Sequence, residues 1–376
     1  MAKIYAKSEV DLDVWTLTLQ RIREVYSMFD KVVVSFSGGK DSTVCLNATL
    51  HVARELGRLP VRAIFWDEEA IHPPTIEYVR RVYNNPEVHL DWYCLPVKHL
   101  NACSRKHPIW YPWAPEDEHL WCRPLPPEGI TKFPPGWNRH TVQDSNGFVL
   151  PKGNTYGMIV GIRAAESLKR YRAVASKRYL NYIAVDSNNP HISICKPIYD
   201  WTTEDVWTAP KLFGWDYNKT YDVFSAYGIP RHAQRVAPPY PAEPLRGLGQ
   251  YAECFPELWE KMVARVPGAN TAAMYANSPL YACNALDFDP NRDPKEQIQE
   301  KLKLWGPKEQ ALIKARLKME MGNHYRRYPN VPIPIDGDSP TGLTWKFLYM
   351  LTVRGDFKHR KNADAGRNTY TENAPD

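Results

Sequence analysis

The chain has 376 residues, of which 43% are hydrophobic, and can bury a core in one large domain with an appendage or in two modest domains. Its formal net charge of +6 is a mild basic excess, which suits an anionic nucleotide and is too small to require nucleic acid as a partner. Its seven cysteines include no CxxC pair, which argues against a disulfide framework and a zinc ribbon.

Helix and strand patterns alternate through the first hundred residues. Apolar side chains recur at helical spacing before Lys31, and the run from Lys31 to Phe36 is typical of a buried parallel strand. The predicted elements are a helix over 9–29, strands over 31–36, 61–66 and 88–95, and helices over 42–56 and 75–83. This alternation predicts a doubly wound, mostly parallel sheet, the Rossmann-like α/β/α sandwich.

The stretch 105–151 interrupts the alternation. It contains nine prolines and four tryptophans, and loops this long are usually functional lids or disordered insertions. We expect a lid-like insertion that covers the mouth of the site and is mobile without ligand, because Trp and Pro together favour a stiff flap.

Regular patterns return after residue 155. The predicted elements are strands over 156–160 and 192–198 and helices over 164–172 and 202–212, the last with Thr202 as its N-cap. From residue 236 the signals are mostly helical, and the end of the chain indicates a frayed tail. The expected division is a nucleotide-binding domain over 1–235, a helical region over 236–330 and an extension over 331–376.

The segment between the first strand and its helix carries the strongest functional signal. It reads Ser37-Gly38-Gly39-Lys40-Asp41-Ser42. The two glycines allow positive φ, so successive backbone N–H groups can form an anion-binding nest at the N-terminus of the helix. The hydroxyls can donate hydrogen bonds, Lys40 supplies a full charge, and Asp41 is expected to orient the loop or hold Mg²⁺. The spacing fits neither the Walker P-loop nor GxGxxG.

SGGKDS after a buried strand resembles the PP-loop of the adenine nucleotide α-hydrolase-like superfamily. That superfamily includes ATP pyrophosphatases and reductases of 3′-phosphoadenosine 5′-phosphosulfate (PAPS). The resemblance implies that the loop holds the phosphates of ATP or the anionic end of PAPS.

Later segments are similar to those of PAPS reductase-like proteins, and of their phage and prophage members in particular. Gly161-Ile162-Arg163-Ala164-Ala165-Glu166-Ser167, followed by Arg170 and Arg172, resembles the signature G-I-R-x-x-E-S-x-x-R. Lys196 to Trp207 and Tyr217 to Asp222 then follow the family's order. Some phage members are described as regulators that act with a ParB-like partner, and the resemblance implies the same possible partner here.

The candidate site residues follow from the loop and from this resemblance. Arg163 follows a strand's carboxyl end, where open α/β sheets bind ligands, and its guanidinium suits phosphate or sulfate oxygens. Three carboxylates, Asp67 to Glu69, come after the second strand and favour ATP bridged by Mg²⁺. We assign catalysis to Lys40, Asp41 and Arg163, magnesium to Asp41 and Asp67, and nucleotide binding to Ser35, Ser37, Gly38, Gly39, Lys40, Asp41, Ser42, Asp67, Gly161, Arg163 and Arg170.

The chain departs from true PAPS reductases in its cysteines. Those enzymes end in a Glu-Cys-Gly-Leu-His motif, which neither Cys254 nor Cys283 carries. We expect turnover that needs no thioredoxin and no essential cysteine. The scattered Cys and His residues between Cys94 and Cys122 match no standard spacing, which argues against zinc or an iron–sulfur cluster.

Three functions remain open at this level. The chain is predicted to be a transferase, either an ATP pyrophosphatase-type adenylating enzyme or a user of sulfonucleotides. Alternatively, it senses nucleotide as a phage-type regulator with a ParB-like or nucleic-acid partner, for which 300–327 supplies basic residues, or it reduces PAPS. With no signal peptide and no bilayer-spanning stretch, we expect a cytoplasmic protein.

Overall fold

A computed structural model describes residues 13–104, 106–166, 170–171, 174, 180–237, 240, 247–275, 287–337 and 339–354. They fall into two compact units, one ending at Ala272 and the other starting at Ala273. The first unit continues past residue 235, the boundary expected from the sequence. Its later helices belong with the sheet because they contact the loop after the second strand, for example through Arg265 and Glu69.

The first unit is built on a sheet. Its strands, with a separate small hairpin of β4 and β5, are β1 Lys31–Ser35, β2 Val61–Trp66, β3 Val88–Tyr93, β4 His99–Leu100, β5 Ile109–Trp110, β6 Tyr156–Ile159, β7 Ile183–Val185 and β8 Ile192–Cys195. Within the described residues the sheet has six strands in the order β3-β2-β1-β6-β8-β7. The pairs are parallel apart from β7, which runs antiparallel to β8 at the edge. This confirms the predicted mostly parallel α/β fold.

Helices of the first unit begin and end at residues suited to those positions. Their bounds are α1 Val14–Met28, α2 Lys40–Leu56, α3 Pro73–Tyr83 and α4 Val142–Val149, then Thr203–Phe213, Thr220–Ala226, Leu248–Cys254 and Pro256–Arg265. One more helix, Ala269–Tyr275, runs across the unit boundary at Ala272. Gly57 ends α2 with φ of 64°. Thr202 and Asp205 form a capping box on Thr203–Phe213, which confirms the predicted N-cap.

The two faces of the sheet are covered by different parts of the chain. Neighbouring residues of a strand point to opposite faces. Val34 therefore packs in a core with α1, α2 and α3, whereas Val33 packs with Trp137, Val149 and Leu150 from the insertion. The insertion thus supplies much of the second layer of the sandwich.

This packing differs from the mobile lid expected over 105–151. Trp110, Trp113 and Trp137 are buried, and α4 forms within the same stretch. The tryptophans that suggested a stacking flap are core residues, because large apolar rings gain most when removed from water.

Two further differences concern short elements. Of the predicted helix over 164–172, the structure describes a 3₁₀ turn, Ala164–Glu166, and α-helix at Arg170 and Tyr171, while residues 167–169 and 172 lie outside the described part. The edge strand β7 and the helix Thr220–Ala226 had no clear pattern, because short elements give little periodicity.

The second unit is helical, as predicted for the region after residue 236. Its helices are Pro294–Leu302, Pro307–Arg327 and Trp345–Arg354. Their shared core includes Ile298, Leu317 and Leu348. No helix in the described part of the chain combines the length and hydrophobicity needed to cross a bilayer. The expected frayed tail lies outside the described residues.

Candidate functional site

The glycine loop joins β1 to α2, a helix of 17 residues. Gly38 has φ of +70°, and a Cβ there would lie 3.0 Å from Cγ2 of Thr75, so both backbone shape and space require glycine. None of the described residues accepts a hydrogen bond from the amides of Gly38, Asp41 or Ser42. Three N–H donors are therefore available to an anion at the positive end of a long helix.

The two serine hydroxyls of the loop are used inside it. Oγ of Ser42 accepts from the amide of Ser37 at 3.2 Å and donates to the carbonyl of Gly39 at 2.9 Å. Oγ of Ser37 lies 3.1 Å from Oγ of Ser42. Both were predicted to contact nucleotide, whereas here they hold the loop in shape.

Lys40, Asp41 and Arg163 come together, as the sequence predicted. Nε of Arg163 donates to Oδ1 of Asp41 at 2.5 Å, and Nζ of Lys40 lies 3.6 Å from Oδ2 of the same carboxylate. Side-chain exposure is only 15% for Lys40 and 4% for Arg163. One carboxylate therefore holds two shielded cations beside the free amides, leaving a net positive charge for an anionic ligand.

Lys40 is also surrounded by aromatic rings. Nζ lies 5.6 Å from the ring centroid of Tyr221 and 5.8 Å from that of Trp207. The amide of Lys40 donates to the hydroxyl of Tyr221 at 2.9 Å. Burial raises the pKa of Tyr221 well above its usual range, so this hydroxyl stays protonated and can donate to a ligand.

Gly161 brings the end of β6 against the start of α2. A Cβ at this position would lie 2.7 Å from the carbonyl carbon of Asp41, closer than real contacts allow. We predicted that Gly161 contacts nucleotide. In the structure it permits the approach that puts Arg163, two residues later, beside Asp41.

The strand order of the sheet also predicts a ligand site beside the glycine loop and Arg163. From β1 the chain proceeds outward through β2 and β3, and then returns to β6 on the other side of β1. The switch point of the sheet therefore lies between β1 and β6, and open α/β sheets bind ligands beyond the carboxyl ends of such strands. The loop and Arg163 follow these two strands. Ser35, the last residue of β1, pairs in register with Ile64.

Asn218 is a loop-holding residue to which the sequence assigned no role. Its Nδ2 donates at 2.8 Å both to the carbonyl of Gly38 and to Oγ1 of Thr75. Asn218 and Tyr221 lie in the segment Tyr217 to Asp222, whose similarity to the family was the available signal. The geometry shows why that segment matters, since it fastens the glycine loop to α3.

Two predicted ligand residues have other partners. Asp67 is 1% exposed, and its carboxylate accepts from Trp92 Nε1 at 2.7 Å, from the Glu69 amide at 2.9 Å, from Trp113 Nε1 at 3.2 Å and from Arg123. All its acceptor positions are taken, so this geometry does not support the predicted nucleotide contact. Arg170 forms an ion pair with Glu166 one helical turn earlier.

The expected magnesium site at Asp41 and Asp67 does not fit these contacts. Asp67 is saturated by protein donors, and Asp41 is held between two cations. Among the described residues, no group of three or more His, Cys, Asp or Glu side chains could hold a metal ion.

Five of the six cysteines described in the first unit are poorly suited to attack a substrate, and Cys103 is the one among them that is partly exposed. Cys45, Cys94, Cys122, Cys195 and Cys254 are buried. Burial raises the pKa of each thiol, to about 12 for Cys195, and so disfavours the nucleophilic thiolate. Cys283 lies outside the described residues.

Family comparisons match two consecutive parts of the chain. The phosphoadenosine phosphosulfate reductase domain matches residues 31–224. A domain of unknown function (DUF3440) matches residues 228–301. The uncharacterized protein YbdN of Escherichia coli (strain K12) is 31% identical over 287 residues, which cover 72% of this chain and 69% of that protein.

Solved structures are similar over part of the chain. The FMN adenylyltransferase of Candida glabrata matches at 14% identity and TM-score 0.36, over 58% of this chain and 63% of its own, which is less than two thirds of its length. The PAPS reductase of Candida auris, in a phosphate complex, matches at 18% identity and TM-score 0.31, over 58% of this chain and 88% of its own.

Proposed function

The chain belongs to the phosphoadenosine phosphosulfate reductase domain family, and on that premise we propose that it is a transferase whose loop Ser37–Ser42 holds ATP or PAPS. The observation that carries the proposal is the joining of Lys40 and Arg163 through Asp41, beside the three free amides. Backbone donors and fixed cations of this kind stabilise phosphate or sulfate without reorganising when charge develops.

The proposed reaction uses this charge on the departing group. When an acceptor attacks the α-phosphorus of ATP, negative charge builds on the leaving pyrophosphate. The amides of Gly38, Asp41 and Ser42 would bind it, and Lys40 would neutralise part of it. Arg163 would keep Asp41 in place and add to the positive field. For PAPS the same donors would hold the sulfate or phosphate oxygens.

Reduction of PAPS is less well supported than transfer. It requires an accessible thiolate, whereas five of the six cysteines described in the first unit are buried and have raised pKa values. The sixth, Cys103, is partly exposed but lacks the Glu-Cys-Gly-Leu-His motif of the reductases. The comparisons name no ParB-like or nucleic-acid partner, and that form of the sensor hypothesis stays without support.

Thermal unfolding with ligands tests the proposal directly. The panel is ATP, PAPS, AMP, adenosine 3′,5′-bisphosphate and pyrophosphate, each with and without Mg²⁺. A ligand at a hundred times its Kd stabilises the folded state by about 2.7 kcal/mol, so the ranking of shifts identifies the nucleotide. Lys314→Ala, at an exposed lysine of the second unit, is the control for Lys40→Ala. If no adenine nucleotide raises the melting temperature, or if Lys40→Ala keeps the full shift, the proposal fails.

A further inference from the structure

A second group of polar side chains lies outside the hydrogen bonds of the glycine loop. We call it the Glu68 cluster, and it consists of Glu68, His72, His99, Trp110, Tyr240 and Tyr251. One set of contacts links Glu68, His99, Trp110 and Tyr240, a second pairs His72 with Tyr251, and Glu68 lies within electrostatic range of Tyr251. His99 Nε2 lies 3.8 Å from a Glu68 carboxylate oxygen. The ring centroid of Trp110 lies 5.8 Å from that of His99 and 4.8 Å from that of Tyr240. His72 stacks on Tyr251 at 4.2 Å.

Many polar atoms of this cluster are buried without partners. Within the part of the chain that the structure describes, no hydrogen bond reaches either ring nitrogen of His72, Nε2 of His99, Nε1 of Trp110, or the hydroxyls of Tyr240 and Tyr251. Native proteins leave few buried polar groups unpaired, and each one calls for an explanation. Five such side chains in one cluster point to a ligand that supplies their hydrogen bonds.

The charges of the cluster determine whether a cation or an anion can bind there. Burial lowers the pKa of His72 to about 3 and that of His99 to about 4, so both rings are neutral near pH 7. The nearby guanidinium of Arg265 is paired with Glu69 and Asp117. Glu68 therefore has no cationic partner among the described residues, while a quarter of its side chain stays accessible. Once Glu68 is ionised, above about pH 8, an anion would be repelled here and a cation would be neutralised.

We propose that the Glu68 cluster binds a small organic ammonium ion that also carries an oxygen acceptor. The Glu68 carboxylate and the unprotonated imidazole nitrogens accept from the ammonium, and the rings of Trp110 and Tyr251 add cation–π attraction. The Trp110 indole N–H can only donate a hydrogen bond, so the ligand must also carry an oxygen that accepts it. The proposal does not depend on the proposed function of the glycine loop.

Calorimetric titration with ethanolammonium chloride tests the proposal, at a pH above 8 where Glu68 is ionised. Ethylene glycol is the neutral control, and sodium chloride matches the ionic strength. We expect saturable binding of ethanolammonium and none of ethylene glycol. Glu68→Gln should weaken the affinity about tenfold or more, whereas Glu204→Gln, at an exposed carboxylate, should leave it unchanged. Tyr251→Phe keeps the ring and should weaken binding less.

The pH dependence separates this site from ordinary surface binding. Burial and the neighbouring Asp67 raise the pKa of Glu68 to about 8. His99 and Tyr251 lie near Glu68 and add no charge near pH 7, and the His72 ring of the cluster is neutral as well. The affinity for ethanolammonium should therefore rise as pH increases through 8 in the wild type and stay level in Glu68→Gln. Lys40→Ala should retain this binding.

Several results would overturn the proposal. These are the absence of saturable binding to the folded wild type, equal affinity in Glu68→Gln, and equal binding of ethylene glycol, which would indicate a polar cavity that takes neutral solvent. Circular dichroism confirms that each variant is folded. Glu68→Gln is expected to fold, because it replaces an unpaired carboxyl with a neutral side chain of the same size.

Discussion

The loops after β1 and β2 follow neighbouring strands of one sheet, and both are rich in charged residues. The loop after β1 keeps three amides without acceptors among the described residues, beside Lys40 and beside Arg163 from the segment after β6. The loop after β2 instead places Asp67 against Arg123 and Glu69 against Arg265, both inside the protein. These arginines lie 56 and 196 residues further along the chain. Carboxylates near strand ends therefore need not be ligands, since their partners can come from distant segments.

Stability measurements on the loop after β2 give the largest expected effect. Arg265→Met leaves the buried Glu69 carboxylate without its cation, and we expect a loss of about 3–5 kcal/mol in the free energy of unfolding. The control, Arg23→Met, breaks an exposed pair with Glu55 and should cost less than about 1 kcal/mol. Urea denaturation measures both. Equal losses would show that the buried pair of this loop contributes no more than an exposed surface pair.

The pH dependence of stability is the next prediction. The pKa of Glu68 rises from 4.5 to about 8 on folding. Its contribution to stability is therefore fully present below pH 4.5 and is lost as pH rises through 8. Glu68→Gln escapes this loss, so its stability relative to the wild type should increase across that window by on the order of 5 kcal/mol, about 1.4 kcal/mol for each unit of the pKa difference.

Denaturation at a series of pH values checks this, with Glu204→Gln as the control. The two neutral histidines of the cluster have the opposite effect, because their contribution to folding stability is lost as pH falls below 6.5. This contribution is the same in the wild type and in both variants, so it cancels in the comparison. A difference between Glu68→Gln and the wild type that does not change with pH would contradict the prediction.

The loop after β1 should respond in ligand binding and hardly in stability. Lys40→Ala removes a cation near the anion site, and we expect nucleotide affinity to fall by about 2 kcal/mol, or roughly 30-fold. The unfolding free energy without ligand should change by less than about 1 kcal/mol, since the Lys40–Asp41 contact is long at 3.6 Å. Calorimetric titration and denaturation together decide the point. If Lys40→Ala lost stability but kept its nucleotide affinity, Lys40 would have a structural role, and the loop after β1 would not be the binding loop.

The smallest expected effect concerns cysteine. Cys254→Ser should leave pyrophosphate release from ATP within about twofold of the wild type, because the buried thiol has a raised pKa and takes no part in transfer. Labelled ATP and PAPS are the substrates to assay. If the wild type released sulfite from PAPS with thioredoxin and Cys254→Ser did not, the protein would be a PAPS reductase and the prediction would be wrong.

Local pattern was enough to predict the elements around the glycine loop. The strand over 61–66 has the predicted bounds, and α2 begins two residues before its predicted start and ends where expected. These elements are long or strongly apolar, and the end of α2 is marked by Gly57. In contrast, α4 begins at a Thr141 cap within a stretch rich in prolines and tryptophans, and its short helical pattern was hidden there.

The sequence by itself determined the family, the mostly parallel sheet, and the association of Lys40, Asp41 and Arg163. Each rests on residues that are adjacent in the chain or on strand ends that a parallel sheet must bring to one edge. Only the tertiary structure decided that Asp67 and Glu69 are internal ion-pair partners and that Gly161 serves close packing. It also decided that the tryptophans of the insertion form core. Those roles depend on which distant side chains arrive at each position, and no local spacing records that arrangement.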